Sequence, residues 1–223
     1  EDSTLVTLTS SLRNTFFFNR SSSTVGADYT YAQNQSKVYL ANGFETRTNS
    51  SHRLKVRWNF AKIFTLNADG EYGYKSTISD FFSTNNFNIR YYEIEPQLVF
   101  QPGTKWRVRG KFKFTDKLNR LTTGGTQQAI LRDAGVDGKY NILQRGSVNA
   151  TFNFISINYN GTTGNTVEFE LLEGLKAGLN YTWSVFFQMR IGKNMQVNLQ
   201  YSGRKSEDNK SVHTGTMQVR AFF

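Results

Sequence analysis

Arg107, Arg109, Lys111 and Lys113 stand at every second position of one short stretch, with Val108, Gly110 and Phe112 between them and Trp106 and Phe114 outside. Four cations on one side of an extended chain make a positive column about 20 Å long, at roughly 3.3 Å per residue. Such a column could set an anion preference, hold an acidic segment, or pair with carboxylates on neighbouring strands and fill a narrow interior. His52 and His213, the two histidines, are the side chains best suited to acid–base work. No spacing ties either of them to Asp80, Glu207 or Asp208, so no catalytic constellation is expected and the chain reads as a non-enzyme. Glu168, Glu170 and Glu173 could offer oxygens to a hard cation, but a solvated acidic loop is the simpler reading. With no cysteine and no cluster of metal ligands, neither a metal site nor a cofactor is expected.

Extended chain must position these groups. Aromatics make up 15% of the 223 residues, with 18 glycines and two prolines, a balance that favours β structure in one domain. No apolar run approaches the ~20 residues of a transmembrane helix. The net charge of +10 suits nucleic acid, an acidic surface or an anion-conducting interior. Nucleic acid is set aside, because the basic and aromatic residues fall on opposite faces of the same strands.

Alternation at period two recurs along the chain. Leu54, Val56, Trp58 and Phe60 oppose Arg53, Lys55, Arg57 and Asn59; near the end, Val197, Leu199 and Tyr201 oppose Gln196, Asn198 and Gln200. Turns are expected at residues 34–36, 49–51, 61–63, 102–104, 144–146 and around 193. Long polar connections are expected at 76–88, 115–126, 158–179 and 205–210. Helix is expected nowhere except a turn or two within 169–175. The count is 12 strands, and an even count puts both termini at the short-turn end.

Matching apolar faces across two tight hairpins predicts which charges meet. Phe60 against Phe64 brings Lys55 opposite Asp69 and Arg53 opposite Glu71. Phe100 against Trp106 brings Glu95 opposite Lys111 and Glu93 opposite Lys113. Opposite signs meet four times although charge did not choose either register. The charged face must be wet, since burying so many ions would cost several kcal/mol each. A soluble sandwich would hide the aromatic face in a core. Strands of ten or more residues point instead to a tilted membrane span. So do aromatics grouped near strand ends: Trp106, Phe100, Phe60, Phe64, Tyr140 and Phe223 toward the short turns, and Tyr181, Trp183, Phe18 and Tyr29 toward the loops. The expected fold is all-β: a transmembrane antiparallel up-and-down β-barrel of about 12 strands with short periplasmic turns and long extracellular loops.

The last residues, MQVRAFF, resemble the C-terminal recognition signal of outer-membrane barrels, with Met217, Val219, Ala221 and Phe223 on one face. The stretch from Ile157 to the end resembles the C-terminal barrels of large Bacteroidota cell-envelope proteins. That resemblance implies a bacterial outer membrane, lipid and lipopolysaccharide as surroundings, and insertion by the barrel-assembly machinery. It brings no catalytic motif. Residues 1–223 are expected to be a single barrel domain, either free-standing or the C-terminal part of a longer chain.

Three functions follow as expectations. The first is a membrane anchor or scaffold subunit of an envelope assembly, serving protein export, insertion or a surface complex, with protein partners and a lumen filled by charged side chains. The second is a transport pore, porin-like or a polypeptide conduit, using the basic column. The third is a cell-surface barrel enzyme.

Overall fold

The computed structural model describes residues 6–40, 43–121, 126–142, 145–192, 194–207 and 209–222. Eleven strands form one antiparallel sheet in chain order. They are β1 (Thr7–Phe18), β2 (Val25–Leu40), β3 (Gly43–Ala61), β4 (Phe64–Ser79), β5 (Phe87–Phe100), β6 (Trp106–Asn119), β7 (Gln127–Ile142), β8 (Gly146–Asn160), β9 (Gly178–Ile191), β10 (Met195–Ser206) and β11 (Val212–Ala221). One helix, α1 (Thr166–Leu172), lies between β8 and β9, and a 3₁₀ turn, Ser83–Asn85, joins β4 to β5. Every ladder is a hairpin between sequence neighbours, so the alternating pattern of each strand is locked to the next.

That locking separates two faces. Leu66, Leu98 and Gly110 share one row of the outer face, and Tyr72 and Tyr92 share another. The outer apolar side chains are uncovered: Ile94 is 59% exposed, Val136 55% and Phe112 45%. A sandwich would bury them under a second sheet, and the described residues form a single one. The apolar rows continue for about five alternate positions per strand and then give way to polar ones, at Ser76, Arg90, Asp116 and Arg132 for example. Ten residues of tilted strand is what a hydrocarbon layer requires.

The sheet curls around α1. Thr166 Oγ1 donates to Asn85 Oδ1 at 3.0 Å, and a polar cavity of about 450 Å³ is bounded by Thr9, Asn34, Arg47, Lys75, Phe87 and Glu170, from five consecutive strands and the helix.

Three expectations need correcting. Residues 34–36 and 49–51 are not turns: Asn34 pairs with Ser11 on one side and Asn49 on the other, in the middle of strands 16 and 19 residues long. From Gln33 to Lys37 on β2 and from Thr46 to Ser51 on β3 both faces are polar, because these strands leave the apolar belt. Side chains that usually make turns there bond across the ladder, as Ser11 Oγ does to Asn34 Oδ1 at 2.7 Å. The segment around Val38 and Phe44 is therefore the end of one hairpin, and the described strands number 11, not 12.

The second correction follows from the first. With one strand fewer, β1 starts at the long-loop end and β11 finishes at the short-turn end, so the described termini do not share an end, and Phe18 lies beside a short turn. The third concerns β5 and β6, whose register runs Phe100↔Val108 and Gln97↔Lys111, two residues away from expectation. Trp106 is engaged on its other side, stacked with Tyr140 of β7 at 4.4 Å between ring centroids. The connections at 80–86 and 120–126 are also shorter than expected, since the strands run further into the polar segments.

Candidate functional site: the charged inner wall and its helix

The inner face carries the charges. Arg53 grips Asp69 with two hydrogen bonds of 2.7 and 2.6 Å, and lies 3.7 Å from Glu71. Lys55 approaches the same Asp69 at 3.8 Å. For the charges the register is the one expected, Arg53↔Glu71 and Lys55↔Asp69, although at the turn it slips and Phe64 stands opposite Ala61, not Phe60; the tightest contact is diagonal because the long guanidinium leans along the strand. Glu93 pairs with Lys113 at 2.9 Å although it stands opposite Thr115. Glu95 accepts a bond from Gln97 at 2.7 Å and does not reach Lys111.

The basic column of β6 is largely neutralised. Arg109 bonds Asp137 at 2.6 Å and Lys111 lies 3.4 Å from Asp133, both on β7. Arg107 has no ion pair among the described residues and is exposed beside Lys139. Sequence reasoning missed Asp133 and Asp137. Their signal was available in the register Lys113↔Asp133 and Arg109↔Asp137, but the connection at 120–126 gave no tight turn from which to count.

The column continues to Lys117, also missed, whose side chain is 9% exposed. Its ammonium donates to the Glu173 carboxylate at 2.8 Å and to the Glu170 carbonyl at 3.3 Å. Both partners belong to the connection between β8 and β9. Glu173 is held below the usual carboxylate range: burial acts to raise it, but the charge and hydrogen bond of Lys117, with Lys113 and Lys75 beyond, outweigh that.

This connection places α1 across the inner wall. Asn165 caps the helix, its Oδ1 accepting from the Glu168 amide at 2.7 Å, while Glu168 Oε2 accepts from the Gly164 amide. At the other end Glu173 takes a left-handed conformation with φ 56° and Gly174 follows with φ 74°. A helix of seven residues has no stability of its own in water. It is held by Val167, Leu171 and Leu172, buried against Phe87, Ile89, Ala129, Leu131 and Ile157. These last five are the inward apolar residues of β5, β7 and β8 at the loop end. Fully burying three such side chains contributes roughly 1.5–3 kcal/mol each. The helix was expected within 169–175, and its apolar face at 167, 171 and 172 is what the alternation reading overlooked.

Deeper on the wall, Tyr91 lies across Gly73, and a Cβ there would meet the phenol at 2.7 Å and the Ser50 carbonyl at 2.5 Å. The phenol donates to Glu71 Oε1 at 2.8 Å. Gly73→Val should expel the ring and break that bond, with an overpacking cost of about 1–3 kcal/mol read as a lower thermal midpoint in detergent.

The histidines sit on the outer face, at the loop-side border of the apolar belt. His52 shares a 2.7 Å hydrogen bond with Tyr29 and stacks near Tyr31 and Tyr72; His213 shares one of 2.8 Å with Tyr201 and lies 5.6 Å from the Trp183 ring. With Tyr92 and Tyr181 they form one aromatic girdle, and Trp58, Phe60, Phe64, Phe100, Trp106 and Tyr140 form the other at the short-turn end. Among the described residues no group of His, Asp and Glu could hold a metal. Met217, Val219 and Ala221 share the outer face of β11, as their pairing with Leu199, Val197 and Met195 requires. Phe223 lies outside the described residues.

A curled antiparallel up-and-down sheet, apolar and aromatic-girdled outside and charged within, defines an outer-membrane β-barrel. No family model and no curated protein matches the chain. Among solved structures, it is similar to the translocator domain of the autotransporter NalP from Neisseria meningitidis, at 14% identity and a TM-score of 0.39, over 97% of this chain and 80% of that one. It is also similar to the outer membrane transporter YddB from Escherichia coli, at 10% identity and a TM-score of 0.43, over 94% of this chain and 50% of that one.

Proposed function

We propose that the protein is a plugged barrel, the membrane anchor or scaffold subunit of an envelope assembly. One observation carries this reading: α1 is docked inside the loop-side mouth, with Leu171 and Leu172 buried to about 1% exposure and Lys117 bonded to the connection that carries the helix. A passage built for flow would leave its mouth open, whereas this apolar contact seals the β5, β7 and β8 side of it and leaves only the polar cavity beside the helix wet. The paired inner charges add rigidity to the wall. The surroundings in this reading are lipid and lipopolysaccharide, the barrel-assembly machinery acts on β11 during insertion, and protein partners meet the loop end. A kinship with Bacteroidota envelope proteins and a place in protein export belong to the same reading.

Planar-bilayer recording tests it. The intact protein should be electrically silent, and a variant lacking residues 165–175 should conduct. Steady conductance by the intact protein would sink the proposal.

A pore reading draws on Arg107, exposed on the inner wall without an ion pair among the described residues. If the helix-deleted variant conducts, Arg107→Glu in that background should lower its anion-to-cation permeability ratio severalfold, since one ring charge in a narrow pore is weakly screened.

A further inference from the structure

The two edges of the sheet, β1 and β11, point the same way. β1 runs from the long-loop end to Phe18 at the short-turn end, and β11 runs from Val212 at the loop end to Ala221 at the short-turn end. No ladder joins them among the described residues, and both are exposed along nearly their whole length on both faces. Each presents its outer row at the depth of the apolar belt: Leu12, Phe16 and Phe18 on β1, Met217 and Val219 on β11.

An open edge at that depth is not tolerable in a bilayer. Alternate amides and carbonyls of each edge would face hydrocarbon, at several kcal/mol per unsatisfied group. A second copy of the chain offers only a parallel seam: all copies share one orientation in the membrane, so β1 of one and β11 of another run the same way, whereas each of the ten ladders of the sheet is antiparallel.

We propose that one further strand, running from the short-turn end to the long-loop end, seats between β1 and β11 and completes an antiparallel barrel of 12. Its source is the same polypeptide, ahead of residue 1. Chain order and spatial order agree at every step of the sheet, and a preceding strand would finish at the loop end, where β1 begins. Its outer face is apolar at alternate positions, to match the belt. Its inner face is polar or acidic, beside Arg13 of β1 and Arg220 of β11. This inference stands independently of whether the lumen conducts.

The chain lacks cysteine, so paired cysteines can be introduced cleanly. The protein, expressed from its complete reading frame, would carry one cysteine at Ser11, Arg13 or Thr15 and one at Thr214, Thr216 or Gln218, all inner-face positions of the two edges. With a strand between them, the edges are about 10 Å apart, twice the inter-strand spacing. A bis-maleimide of that span should then bridge at least one pair, while oxidation alone bridges none. A direct disulfide would overturn the proposal in favour of parallel closure, and so would failure of both reagents at every pair. A photoreactive residue at Ser11 identifies the source. An adduct with a peptide from ahead of residue 1 supports it, and an adduct with another protein overturns it.

Discussion

Leu171→Asp should release α1 from the barrel mouth and leave the sheet standing. Leu171 is fully buried, in a cluster with Phe87, Ile89, Ala129, Leu131 and Ile157. An ionised carboxylate placed there would cost several kcal/mol, and the cheapest escape is for the helix to leave. The helix has little to hold it back. Its seven residues are unstable alone, and its docking rests on three apolar side chains and the Lys117 contacts. The ten ladders do not depend on it, because each is closed by its own hairpin. Limited proteolysis should therefore cut between residues 161 and 177 at least tenfold faster than in the parent, with the thermal transition of the sheet nearly unmoved. Leu171→Ala, which removes burial without adding charge, should cost roughly 2–5 kcal/mol of the same docking energy. A variant whose whole sheet melts early, with the connection still protected, would show that the helix supports the barrel instead of merely closing it.

Much of this wall could be read from the chain. Wherever the apolar belt and a tight turn coincide, as at Trp58 and Leu66, period-two alternation gave both face and register, and Arg53 duly faces Glu71. The reading faltered where hydrocarbon stops constraining the sequence. At Asn34 and Asn49 both faces meet water, so a continuous ladder carries the same residue types as a turn. The Phe100 to Trp106 hairpin failed for another reason. Two aromatic residues across a loop look like partners, but Trp106 was already taken by Tyr140 from a strand that a one-hairpin argument does not include. The helix was obscured because its partners, Ile89, Leu131 and Ile157, lie on the inner face of strands whose inner residues are elsewhere polar. An apolar residue on the wet face is a sign that something covers it.

Neutralising Glu173 should loosen α1 more than neutralising Lys117. The two form one ion pair, but they differ in what each loses when left alone: the Lys117 side chain is 9% exposed and that of Glu173 45%. Lys117→Met replaces a buried ammonium with an apolar chain of similar length and leaves behind a carboxylate already half in water, at little cost. Glu173→Gln leaves a buried cation with weaker acceptors, costing roughly 1–3 kcal/mol, below the figure for a fully buried pair because water screens the carboxylate side. The same pair makes docking sensitive to acid. Because the Glu173 carboxyl is held below its ordinary range in the docked state, docking binds fewer protons than release does. Its contribution is complete above the ordinary carboxylate range and disappears as pH falls through the lowered value. Proteolysis of the β8–β9 connection by an acid-tolerant protease should therefore be steady from pH 7 to about 5 and rise below about 4, near the free carboxyl value. Glu173→Gln should cleave faster at neutral pH and lose most of that acid limb, while Lys117→Met/Glu173→Gln should regain much of the protection at neutral pH. Equal neutral-pH cleavage in the two single variants would mean that the exposure of the two partners does not govern the latch.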